Sequence, residues 1–182
     1  MFTKNYYSAL PKRYHKPVKS LLEKYDKSFV PALSQRNSTT QQTLVSNDDS
    51  TEPSIDEYFN NLLEQSFILA IHYGELVGFM SFIEDKELPY GTQTPSNYVS
   101  TDIVDESFRG QRLTKQFYQE MMRFKKPITT RTWSSNYSHI AILKSMGFEN
   151  VKTLPNDRGE NIDTVYYEYS GNYHTPQLSV KC

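Results

Sequence analysis

Cysteine is almost absent from this chain. Cys182 is the only one among 182 residues, so no disulfide can form within the chain, and the usage fits a reducing compartment. Cys182 itself reads as an inert thiol. The histidines, His15, His72, His139 and His174, are scattered, and no HxxxH or CxxC pair exists, so the spacing of a metal site is missing. No apolar run approaches the length needed to span a bilayer, and the opening MFTKNYYSALPKRYHK lacks the apolar core of a signal peptide. An excess of one charge is lacking too. Lys plus Arg number 20 against 21 Asp plus Glu, and the signs are interspersed, which leaves no electrostatic footprint for nucleic acid or an anionic membrane. The expectation is a cytoplasmic protein with no metal, no nucleic-acid partner and no membrane partner. The N-x-S/T matches at Asn37 and Asn136 then count as chance.

The length suits one domain, residues 1–182, with a substantial core, and is short for two of ordinary size. Val18, Leu21, Leu22 and Tyr25 recur at helical spacing, as do Ile55, Tyr58, Phe59, Leu62 and Leu63, which predicts two helices ahead of the sheet. Between them residues 34–53 are rich in Ser, Thr, Asn, Gln and Asp with few apolar residues and read as a flexible loop. Residues 67–72 and 76–83 flank Tyr73, Gly74 and Glu75 as a hairpin. Pro89, Gly91 and Pro95 break the chain before residues 97–104, whose β-branched and aromatic content suits a central strand. Residues 128–133, 148–154 and 164–169 are further strands, the last two joined by a polar loop over 155–161. No internal repeat appears. The order predicts an α/β class, with a mixed α+β sheet.

Residues 104–114, VDESFRGQRLT, end a strand, pass through a turn and open a helix whose apolar face is Leu113, Phe117, Met121 and Phe124. A helix start presents unpaired N–H groups and partial positive charge, a natural seat for an anion. Gly110 lets the backbone approach a ligand, and Arg109 and Arg112 add charge. Asp105 and Glu106 oppose a phosphate unless they point away. A second segment, residues 134–148, SSNYSHIAILKSMGF, has Asn136 at a capping position, apolar Ile140, Leu143 and Met146, and Gly147 placed to stop a helix.

Together the two segments resemble the acetyl-CoA motifs of the Gcn5-related N-acetyltransferase (GNAT) superfamily: a Gln/Arg-x-x-Gly-x-Gly/Ala loop entered at Arg109, and an asparagine-to-Gly-Phe helix from Asn136 to Gly147 and Phe148. The resemblance covers about residues 66–170. It implies the acyl-CoA N-acyltransferase fold, a mostly antiparallel twisted sheet flanked by helices, with acetyl-CoA as cosubstrate. It implies that Arg109, Gly110, Gln111, Arg112, Leu113, Thr114 and Asn136 hold the cofactor, and that the backbone of Ile103 and Val104 receives the pantetheine arm and thioester carbonyl. Three departures stand out, one being Thr114 in place of the loop's final small residue. Arg112 occupies the place of the central glycine, and Leu143 that of a tyrosine often proposed as general acid.

The acid is the lesser loss. A thiol of pKa about 8.5 leaves readily near neutrality, whereas an alkyl ammonium of pKa about 10.4 must first lose a proton. The base candidates are Asp102, on the strand before the loop, and Glu84, at the end of the preceding strand; Tyr137 is a candidate replacement acid. His139, where the family usually has alanine, reads as a satisfied helix histidine. The acceptor would lie opposite the CoA, against residues 29–42 and an aromatic wall of Tyr166, Tyr167 and Tyr169. The expected activity is direct acetyl transfer from acetyl-CoA to a primary amine of a small molecule or peptide; the alternative is a noncatalytic CoA-binding or regulatory module of the same fold. A homodimer is compatible with either.

Overall fold

The computed structural model describes residues 2–41, 44, 54–91 and 94–171. Cys182, His174, Gln42 and most of the 34–53 loop lie outside the described residues. The elements run β1 (Thr3–Tyr7), α1 (Lys12–Tyr25), α2 (Ile55–Leu62), β2 (Ser66–His72), β3 (Glu75–Lys86), β4 (Ser96–Val104), α3 (Leu113–Met122), β5 (Ile128–Trp133), α4 (Tyr137–Ser145), β6 (Glu149–Leu154) and β7 (Thr164–Tyr169). Single 3₁₀ turns lie at Asp26–Ser28, Leu33–Gln35 and Glu106–Phe108. One seven-stranded sheet has the order β1-β2-β3-β4-β5-β7-β6. Every neighbouring pair is antiparallel except β4 with β5. This is the mixed, mostly antiparallel sheet expected.

Alternation along the strands divides the core between two faces. Ile68, Met80, Phe82 and Val99 meet Leu113, Phe117, Tyr118 and Met121 of α3 and Leu143 of α4. On the other face Phe67, Leu69 and Phe79 meet Val18, Leu21 and Leu22 of α1 and Tyr58, Phe59 and Leu62 of α2. The helical spacings read from the sequence therefore point their apolar residues at the sheet. Among the described residues, no helix is long and apolar enough to cross a membrane.

Three local readings need correction. A strand, β1, precedes the two early helices and pairs with β2; its polar, mostly half-exposed sequence TKNYY gives no strong strand pattern. Phe124 lies beyond the end of α3, where it packs on Tyr6 and Phe82. The three late tyrosines do not form one wall, because adjacent strand residues face opposite ways. Tyr166 touches Arg131 and Tyr90, while Tyr167 lies in the core beneath α3 and α4, and Tyr169 packs on Phe148.

The feature that positions the site is in β4. Its pairing with β3 slips between Ser81 and Phe82, so that Ser100 is an extra residue between Val99 and Thr101. Such a bulge bends a strand and increases its twist. The Ser100 hydroxyl pins it, donating to Gln65 Oε1 at 2.5 Å and sharing a 2.9 Å hydrogen bond with Ser81 Oγ. The parallel ladder to β5 spans only Asn97–Val99 against Ile128–Thr130. Beyond it the two strands part.

Candidate functional site

A cavity of about 600 Å³ occupies the split between β4 and β5. Val99 to Val104 form one wall, and Thr130, Arg131, Thr132 and Trp133 the other. The starts of α3 and α4 reach it from one side of the sheet, through Gly110, Arg112, Thr114, Asn136 and His139. Tyr25, Phe29, Arg36 and Thr39 reach it from the side of α1. Of the expected acceptor segment, residues 29–42, the side chains that line it are thus Phe29, Arg36 and Thr39 among those described.

The start of α3 differs from those of α2 and α4. Ser54 caps α2 by accepting from Asp56 N–H at 3.2 Å, and Asn136 caps α4 by accepting from His139 N–H at 3.4 Å while donating to Thr132 Oγ1 at 3.0 Å. At α3 the capping position is Arg112, which makes no side-chain cap. Its N-terminal N–H groups therefore face the cavity without a side-chain acceptor. Arg112 has φ 60° and ψ 25°, the left-handed conformation that a glycine takes without cost. The arginine thus keeps the backbone course of a glycine loop, with its exposed side chain at the edge of the cavity. Gly110 also has positive φ, and nothing lies within 4 Å of where a Cβ would stand. That room and those donors fit a pyrophosphate. Asp105 and Glu106 do not oppose one, because Lys24 Nζ holds them at 2.9 and 3.1 Å. Arg109 lies over the Tyr25 ring and lines the cavity, whereas Gln111 does not line it.

Backbone direction separates Ile103 from Val104. Asp105 N–H donates to Val77 O of β3 at 2.9 Å, and the β3–β4 register is regular from Thr101 onward. Alternation in an antiparallel ladder turns Ile103 N–H toward β3 as well, and Val104 N–H toward the open edge. Val104 is the donor available to a ligand in the split.

Asp102 lines the same wall. Its Oδ1 is buried and has no hydrogen-bond partner among the described residues. Burial pushes the carboxyl up to about 7, with the Thr114 hydroxyl pulling the other way. Beneath it, Tyr118 is fully buried and shares a 3.0 Å hydrogen bond with His139 Nε2. Burial lowers the His139 ring to about 4, and burial together with the Asp102 charge holds the Tyr118 phenol well above its usual range. His139 is thus a neutral histidine satisfied by a tyrosine.

The other two catalytic candidates are not brought to the cavity. Glu84 lies further along β3 and accepts from Tyr6 Oη and Ser66 Oγ, both at 2.7 Å. The register of β3 with β4 sets it beside the end where β4 and β5 are still paired, away from the split. Tyr137 is the first residue of α4, 77 % exposed and outside the cavity lining. Leu143 is fully buried in the core, so no acid stands in the place of the missing tyrosine. Sequence reasoning placed Arg36 only as part of the acceptor segment 29–42 and missed Arg131 and Arg158, which also line the cavity; scattered single arginines carry no spacing signal.

No protein-family model matches the chain, and no curated protein matches it. Solved structures do. An N-acetyltransferase from Staphylococcus aureus Mu50 is 16 % identical with TM-score 0.63, covering 92 % of this chain and 98 % of its own. Arabidopsis thaliana NAA60, solved with a bisubstrate analogue, is 18 % identical with TM-score 0.60 over 92 % and 98 %. The yncA protein of Salmonella typhimurium, a proposed acetyltransferase solved with its cofactor acetyl-CoA, is 14 % identical with TM-score 0.62 over 96 % of both chains. The chain has the fold of the GNAT superfamily.

Proposed function

We propose that this chain is an N-acetyltransferase of the GNAT superfamily, transferring the acetyl group of acetyl-CoA to a primary amine in a ternary complex. One observation carries the reading. One cavity runs through the β4–β5 split from the uncapped start of α3, suited to a pyrophosphate, to the Asp102 carboxylate, whose buried Oδ1 has no partner among the described residues and suits a proton. The likeness of fold to acetyltransferases supports it.

In this mechanism the N–H groups at the α3 start, with Arg109, hold the pyrophosphate, and Asn136 keeps α4 beside the cofactor. Val104 N–H donates to the thioester carbonyl and steadies the oxyanion formed on attack. Asp102, poised near neutrality, takes the proton that the ammonium must lose. The amine nitrogen then bonds to the acetyl carbon, the carbon–sulfur bond breaks, and the second proton of the nitrogen passes to the departing thiolate, so that CoA leaves as its thiol. Both substrates lie together in the split, so the rate gain from proximity favours direct transfer.

The buried Leu143 favours a second reading, a CoA-binding module without turnover. Incubation with acetyl-CoA and a panel of polyamines, aminoglycosides, amino acids and peptide N-termini, with free thiol monitored, separates them. Amine-dependent thiol release with sequential kinetics is expected. Thermal stabilisation by CoA with no thiol release for any amine would favour the module; an acetylated enzyme intermediate would overturn direct transfer.

A further inference from the structure

Three arginines meet at the α1 side of the cavity. Arg36 and Arg158 are only 7 % and 6 % exposed, and Arg131 leaves β5 one residue past the last β4–β5 pairing. All three line the cavity, and among the described residues none makes an ion pair with a carboxylate. Arg36 donates to the carbonyls of Val30 and Pro31. Arg158 donates to Val30 O and to Thr164 Oγ1. Asp157, which favours the charge on Arg158, bonds Thr164 Oγ1 at 2.6 Å instead. Arg131 has the loosest contacts, Tyr166 Oη at 3.4 Å and Thr39 O at 3.5 Å, so its fork is the least committed. Burial, and then Arg36 and Arg131, push the Arg158 guanidinium down to about 9.

Like charges gathered out of water are costly, and proteins keep them where something of opposite sign completes the site. Backbone carbonyls satisfy hydrogen bonds but leave the net charge. A planar carboxylate is the partner that such forks suit. We propose that the acceptor amine carries a carboxylate, bound by Arg131 with Arg36 and Arg158 behind it, so that the substrate is an amino acid or a related aminocarboxylate. This rests on the acetyl-transfer reading for the amine but not for the anion. The pyrophosphate does not account for the arginines, because the uncapped helix start and Gly110 lie with α3, on the other face of the sheet.

The experiment uses matched pairs, each an aminocarboxylate and its carboxamide, offered to the CoA-saturated protein and its Arg131→Gln and Arg131→Lys variants. Thermal stabilisation is read with CoA, and thiol release with acetyl-CoA. The expected result is that carboxylates are preferred at least tenfold in kcat/KM. Arg131→Gln should abolish the preference through KM, Arg131→Lys should restore part of it, and stabilisation by CoA alone should stay unchanged. Stabilisation of the wild type, but not of Arg131→Gln, by carboxylates without thiol release would keep the anion site and overturn acetyl transfer. A preference for carboxamides, no discrimination within pairs in either readout, or a parallel loss of CoA binding in Arg131→Gln would overturn the anion site.

Discussion

Replacing Asp102 with Asn tests the base through stability as well as rate. In the folded protein the carboxyl is raised from 3.8 to about 7, so between those values the folded chain holds a proton that the unfolded chain has released. Its contribution to stability is fully present below about 3.8 and is lost as pH rises through about 7. At about 1.4 kcal/mol per pH unit, that window corresponds to a loss of about 4 kcal/mol, an upper bound. His139 acts in the opposite sense. Lowered from 6.5 to about 4, its contribution is present above 6.5 and is lost as pH falls through about 4, an amplitude of about 3.5 kcal/mol by the same conversion. The two slopes nearly cancel in the wild type between about pH 4 and 6.5. Asp102→Asn removes one of them.

The variant should therefore gain stability as pH rises across that range, where the wild type stays nearly level. The difference between them should grow by up to about 4 kcal/mol from about pH 4 to 8. Urea unfolding of the ligand-free proteins across that range measures this, and a constant offset from the lost shape or packing does not alter the slope. In the same variant kcat/KM should fall about 10²- to 10⁴-fold and lose its rise near pH 7. A stability difference independent of pH would mean that Asp102 ionises as an ordinary carboxylate, and the case for a poised base would be refuted.

Gly110→Glu puts a side chain at φ 76° and a negative charge where the pyrophosphate would sit; CoA should no longer raise the melting temperature, and unchanged stabilisation would place the cofactor elsewhere. Arg112→Gly releases a left-handed arginine and should stabilise the ligand-free protein by up to about 1 kcal/mol in urea unfolding, with CoA affinity kept because the backbone supplies the donors. Tyr118→Phe leaves the His139 ring without its 3.0 Å partner and should cost about 1–3 kcal/mol, measured by the same unfolding.

Periodicity made α1, α2 and α3 legible, because each buries one apolar face against the sheet, and a continuous apolar run either side of Tyr73 and Gly74 made the β2–β3 hairpin legible, because it is buried on both faces. The capping asparagine and the glycine of the phosphate loop were legible because a helix start and a positive φ restrict residue type. What was not legible depends on tertiary course. β1 is held by pairing with β2 and not by an apolar pattern. Glu84 and Asp102 look alike in sequence, but Met80 and not Glu84 stands opposite Asp102, and only Asp102 meets the cavity. Arg36, Arg131 and Arg158 come from a 3₁₀ turn's end, a strand and a loop, and only the fold gathers them.

The short β4–β5 ladder has a cost of its own. Beyond Thr130 the ladder between the two strands stops, so among the described residues the sheet has two inner strand edges besides its two outer ones. Exposed edges template pairing with other chains. A cosubstrate lying along β4 would shield one inner edge, which ties colloidal behaviour to ligand supply: the empty protein should self-associate at concentrations where the CoA-saturated protein stays dispersed.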